Sequence, residues 1–231
     1  AASLAAAAVS AAAAAASSSA AAADTNGNAA VPPPTYYPSD PTLKEASAAA
    51  EKWCRLVKHG LKSARHAAAP LLPALAASLP RWFAATKASS FLYVSSELVK
   101  TFGGACRAVS EGSSDNGAAP ATEEDRRVAA AVVALLSAVL PAAVAALPDE
   151  ATARDRPDLA DDVFLLSARA LSYAPSATLG PPLSAGGALL DVASRGLLLQ
   201  HRDACCSAMH LVERACLPST LRGAGEAGRR A

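Results

Sequence analysis

From residue 42 to residue 217 apolar side chains return every three or four positions, the repeat of one face of an α-helix. The pattern predicts helices over 42–66, 70–86, 88–102, 123–147, 158–174 and 201–217, with a weaker one within 181–199. The turn Ser39–Asp40–Pro41 starts the first, with Asp40 or Thr42 placed to cap it. Pro70 suits a first helical turn, whereas Pro73 and Pro80 are expected to bend or interrupt the second helix. Gly103–Gly104 is expected to stop the third. The polar run SEGSSDNGAAPATEED reads as a flexible loop, and the last helix ends before Pro218. No stretch alternates apolar and polar residues as a strand would, so the fold class is all-α.

Taken in pairs, the first helices begin near 45, 89, 158 and 201. Two of the three intervals are about 43 residues, the period of HEAT or armadillo repeats, and the polar loop lengthens the middle one. The expected architecture is a HEAT-repeat α-solenoid of antiparallel helix pairs over 42–217, with a flexible loop at 104–122. Residues 1–41, an Ala/Ser tract followed by VPPPTYYPSDP, read as a low-complexity linker. Residues 218–231 read as a disordered tail.

Ala dominates the 52% apolar fraction and aromatics make up 4%, a composition that suits closely packed helices. The net charge of +1 gives no sign of a nucleic-acid partner. Cysteines at 54, 106, 205, 206 and 216 are odd in number and lack C-x-x-C spacing. Neither a disulfide framework nor a zinc site follows; each is expected to be a small buried hydrophobe in a reducing compartment. The opening Ala, with Met209 as the only methionine, suggests a piece of a longer protein. Residues 1–23 lack the basic start of a signal peptide.

Catalytic motifs fail on inspection. His201–Arg202–Asp203 resembles a kinase catalytic loop, but the position for its metal-binding Asn holds Ala208. Gly223, Gly225 and Gly228 have dinucleotide-loop spacing, but only three residues follow. Asp161–Asp162 reads as a pair of acids early in a helix. No enzyme, cofactor or metal is expected.

One feature remains. In EKWCRLVKHGLKSARH the cations Lys52, Arg55, Lys58, Lys62 and Arg65 recur at helical steps and share one face. Trp53, Leu56, Val57, Gly60, Leu61 and Ala64 supply the other side, and Glu51 alone offers a nearby acid, one turn from Arg55. Such a stripe repels itself unless it is merely solvated or an anionic partner relieves it.

The segments FLYVSSELVKTFG, DLADDVFLLSARALSYAP and HRDACCSAMHLVERAC, together with Leu140–Pro141, fall in one collinear series. They resemble the C-terminal region of nuclear import receptors of the importin-β (karyopherin-β) family. The resemblance runs from about Lys44 to Leu217. It implies a HEAT solenoid that shuttles between nucleus and cytoplasm. It implies binding of serine/arginine-rich splicing factors in phosphorylated form, release by the GTPase Ran through repeats outside this chain, and contacts with nucleoporins. Lys52, Arg55, Lys58 and Lys62 match basic positions of a family helix that grips phosphorylated Arg/Ser segments. That helix is mostly Arg in the family, and here three of the four are Lys, which lacks the bidentate fork of Arg. The alternative is a related receptor, or a generic HEAT scaffold, for other protein cargo.

The resemblance also bears on Val128–Leu147, twenty residues without a charge and long enough for a bilayer. Nine of the twenty are Ala, and the larger residues recur at three- and four-residue steps. The stretch reads as a solenoid helix with a bulky stripe toward one layer and an Ala face toward another, not as a membrane span.

Overall fold

The computed structural model describes residues 41–111, 120–180, 183 and 185–217, the side chains of 41–47 and 111 excepted. The expected linker (apart from Pro41) and tail, with its glycine motif, lie outside these residues, as do positions 112–119 of the expected loop. The elements are α1 (Pro41–Ala64), a 3-10 helix (Arg65–Leu71), α2 (Leu72–Thr86), α3 (Ser89–Glu111), α4 (Glu123–Ala145), α5 (Glu150–Asp155), α6 (Pro157–Tyr173), α7 (Pro175–Leu179), α8 (Gly186–Gly196) and α9 (Arg202–Cys216). Among the described residues there is no strand.

The helices form two layers. In the first, α1, α3, α6 and α9 stand side by side, each packed on the next. In the second, α2 packs on α4, and α3 pairs with α4 across the layers. The first-layer helices begin at Pro41, Ser89, Pro157 and Arg202, where the period places the leading helix of each pair. The result is the all-α stack of helix pairs that the spacing requires. The sequence pattern does not show the short α5, α7 and 3-10 helices; they are turns that carry too few residues for periodicity to register.

Local chemistry sets the ends. Thr122 caps α4 by accepting from the Asp125 amide at 3.0 Å, while the Asp125 carboxylate accepts from the Thr122 amide at 3.0 Å. Asp149 caps α5 through the Thr152 amide at 2.7 Å. His201 Nδ1 accepts from the Ala204 amide, which places Asp203 in the first turn of α9, where its charge is favourable. Pro73 does not interrupt α2: it lies in the first turn, where no donor is needed, and buried Pro80 is accommodated inside the helix.

Two expectations are corrected by packing. Gly103–Gly104 does not stop α3, which runs on to Glu111, so positions 104–111 are helix and not loop. Gly103 is a contact point: a Cβ there would stand 2.5 Å from Tyr173 Cβ on α6. Gly196 has the same use at the other flank of α6, where a Cβ would meet Phe164 Cε2 at 2.6 Å and Ala208 Cβ at 2.8 Å. Glycine lets neighbouring helices approach closer than any side chain permits. The second correction concerns α4. Its bulky stripe, Val132, Leu135, Leu136, Val139 and Leu140, is fully buried as expected. Its alanines at 130, 134, 138 and 145 are exposed and not packed under another layer. They lie on the side of the helix opposite the buried stripe, turned away from α2 and α3.

The two adjacent glycines are therefore expected to respond in opposite directions. Gly103→Ala should destabilise the chain by about 1–3 kcal/mol through overpacking on Tyr173. Gly104→Ala, with nothing within 4 Å, should stabilise it by about 0.5–1 kcal/mol. Urea unfolding followed by helical circular dichroism measures both.

Candidate functional site

Four of the five stripe cations lie on α1. Its buried edge is Ala50, Cys54 and Leu61, which face the core. Trp53 is set edge-on against Trp82 of α2, ring centroids 4.8 Å apart at 88°, and lies 6.5 Å from Phe91 of α3. This aromatic junction fixes the rotation of α1 and so decides which side chains face water. Lys52, Arg55 and Lys62 are exposed. Arg55 pairs with Glu51 at 2.5 Å, the i, i+4 partner expected for it. Lys58 is half-buried, its Nζ 4.5 Å from the centroid of the Tyr93 ring on α3. A cation over an aromatic face is held by the ring quadrupole while keeping its charge.

Arg65 departs from the expectation. The helix ends at Ala64, and Arg65 opens the 3-10 helix with a left-handed φ of 47°. It is exposed, but beyond a break and not on the α1 face. Pro70 lies inside this 3-10 segment, where its missing amide hydrogen leaves one helical bond unmade. The apolar side is also narrower than expected, since Leu56 is 65% exposed and Gly60 and Ala64 face solvent.

A second set of polar groups escaped sequence reading. Helix α6 is buried on two sides, by α3 and by α9, yet carries polar side chains. Arg169 donates to Glu97 Oε1 at 2.7 Å and to Ser96 Oγ at 2.6 Å, both on α3, and Glu97 is 7% exposed. Arg107 of α3 donates to the Ser172 carbonyl at 2.9 Å, its guanidinium 4.7 Å from the Tyr173 ring centroid. On the opposite flank Ser207 of α9 donates to Asp161 Oδ1 at 2.5 Å. Asp161 and Asp162 are thus more than solvated acids of an early turn. The only sequence signal was their position between Ala160 and Val163, inside an apolar run.

Burial pushes the Asp162 carboxyl up to about 8, the charges of Asp161 and Asp158 adding to the rise, against the Ser89 hydrogen bond and the Arg169 charge. The thiols divide. Burial pushes Cys54 up to about 12 and Cys106 up to about 11. Cys206 and Cys216 are exposed, contrary to the expectation of five buried cysteines, because α9 is an outermost helix of its layer. Among the described residues no group of three or more His, Cys, Asp or Glu is arranged to hold a metal. Helix α4 is the one described helix long and apolar enough to cross a membrane by length and composition, and its bulky stripe is spent on the contact with α2 and α3.

Asp162 makes stability depend on pH. Its folded value lies above the ordinary 3.8, so its contribution is complete below about pH 4 and is lost as pH rises through about 8. The unfolding midpoint is expected to fall over that window, and Asp162→Asn, which cannot ionise, should flatten the fall. Thermal unfolding at a series of pH values tests this; identical profiles for the two chains would refute it.

Comparison with known proteins agrees with this geometry. Residues 41–112, which cover α1 to α3, match the family model of the Transportin-3/Importin-13 fourth TPR domain. TPR and HEAT repeats are both stacked helix pairs, so the description fits the observed layers. Transportin MOS14 of Arabidopsis thaliana is 31% identical over 117 residues, 51% of this chain and 10% of that protein. The chain thus spans about a tenth of the length of this curated relative. No solved structure matches. Over these matched stretches, with the layered helix pairs beneath them, the chain is similar to karyopherins of the transportin-3/importin-13 type.

Proposed function

We propose that this chain serves a nuclear import receptor and that the exposed face of α1 holds acidic or phosphorylated protein cargo of the serine/arginine-rich class. The observation that carries the reading is the charge balance of that face. Lys52, Arg55 and Lys62 project into solvent, and among the described side chains of the helix the one acid, Glu51, is already engaged by Arg55. A fixed helix with unopposed cations attracts an anionic chain, raises its on-rate and weakens as salt is added. The reading includes no catalytic step. Release by Ran belongs to other repeats of the receptor, which contacts nucleoporins and would carry this chain between cytoplasm and nucleus.

Lysine at three of the four matched positions favours a second reading, an importin-13-like receptor for other protein cargo. Lysine offers a point charge where arginine offers a planar fork for phosphate, so selectivity for phosphoserine is weaker than an arginine helix gives.

The test is fluorescence anisotropy of a labelled Arg-Ser repeat peptide, with and without phosphoserine, titrated with the 231-residue chain. Phosphorylation is expected to tighten binding, and added salt to weaken it. Reversal of Lys52, Arg55 and Lys58 to Glu should cost at least about tenfold in affinity, about 1.4 kcal/mol, without loss of helicity. Equal affinity of the two peptides would favour the second reading, and unchanged affinity in the triple variant would remove α1 from the site.

A further inference from the structure

Helix α1 does not stand alone at the surface. It runs beside α3 in the same direction: Trp53 meets Phe91 at 6.5 Å and Lys58 meets Tyr93 at 4.5 Å, and beyond its end His66 of the 3-10 helix meets Phe102 at 6.1 Å. Along α3 a single line of positions, Tyr93, Glu97, Lys100, Gly104 and Arg107, follows steps of four and three residues and so shares one face. Lys100, Gly104 and Arg107 are exposed. Glu97 is the one acid on this line, and Arg169 from α6 neutralises it at 2.7 Å.

We propose that the anion-binding surface is two helices wide, and that its occupant is an extended acidic or phosphorylated protein segment lying across α1 and α3, held by Lys100 and Arg107 as well as by the α1 stripe. The proposal rests on the cargo reading of α1 and adds a second row of contacts to it. Among the described side chains of the two helices the acids are Glu51 and Glu97, and each is engaged by an arginine. The described side chains therefore place cations on both helices beside carboxylates that are already paired. Arg107 is oriented before any ligand arrives, stacked on Tyr173 and bonded to the Ser172 carbonyl at 2.9 Å, so engaging an anion costs it little further side-chain entropy. Gly104 has open space beyond its Cα, which leaves room for a chain to pass close to the helix between Lys100 and Arg107. The pairings Lys58–Tyr93 and His66–Phe102 place Lys100 level with the C-terminal end of α1 and Arg107 beyond it, so the segment crosses from Lys62 to Lys100 on a diagonal and continues along α3.

The experiment uses the 231-residue chain and the phosphorylated Arg-Ser repeat peptide, read by anisotropy at several salt concentrations. Lys100→Glu with Arg107→Glu is expected to weaken binding at least about fivefold and to reduce its salt dependence. Because Arg107 also ties α3 to α6, Lys100→Glu alone is measured beside it; at an exposed site it should weaken binding at least about twofold with an unchanged unfolding midpoint. If the α3 variants bind as the parent does while the α1 triple reversal loses binding, the second row is wrong and the α1 site stands. If neither set changes binding, the reading beneath the proposal fails with it. A labelled oligouridylate that binds as tightly as the peptide, and loses affinity with the same reversals, would overturn the assignment to a protein segment.

Discussion

A helix buried between two neighbours has nowhere to send a polar side chain except into them. Helix α6 meets this constraint, and the first layer is registered by its solution. Toward α3 it presents Asp162 to Ser89, Arg169 to Ser96 and Glu97, and the Ser172 carbonyl to Arg107. Toward α9 it presents Asp161 to Ser207. Sliding α3 by one turn would part Arg169 from the buried Glu97, at a cost of several kcal/mol. Apolar contacts between alanine-rich helices are not so exacting, since one small residue replaces another with little change in volume. The glycines at 103 and 196 set how near the helices come, and the polar groups set where along their length they meet.

Register is passed on from there. Once α3 is fixed, Phe91 and Tyr93 are fixed with it, and they receive Trp53 and Lys58 of α1. The chain is poor in aromatic residues, and it concentrates Trp53, Trp82 and Phe91 where α1, α2 and α3 meet. The candidate surface is thereby mounted on an aromatic junction, and its cations begin from defined positions. Lys58 shows this most clearly, since its ring partner belongs to a different helix.

The layer order and the starts of the leading helices were legible because helical periodicity and turn residues are local properties. So was the α1 stripe, whose spacing needs only the helical repeat, and so was the Glu51–Arg55 pair one turn apart. What escaped reading depends on partners distant in sequence. Gly103 reads as a stop until Tyr173 is seen against it, and Asp162 reads as a solvated acid until Ser89 and the neighbouring helices enclose it. Arg65 fails for a local reason: its left-handed φ of 47° marks the boundary at which α1 gives way to the 3-10 helix. The exposed alanines of α4 fail for a global one, because whether a further element covers the side opposite the bulky stripe is not written in the helical pattern.

The proton on Asp162 has a consequence for the molecule as an electrolyte. The formal net charge of +1 and the isoelectric point of about 7.9 count every carboxylate as ionised near neutrality. With its pKa raised to about 8, Asp162 is mostly uncharged at pH 7 in the folded chain, and the native protein is more cationic than its composition states. Unfolding restores the missing negative charge. Native and denatured forms therefore migrate differently in an electric field for a reason separate from their size, and the folded form focuses at the more basic pH.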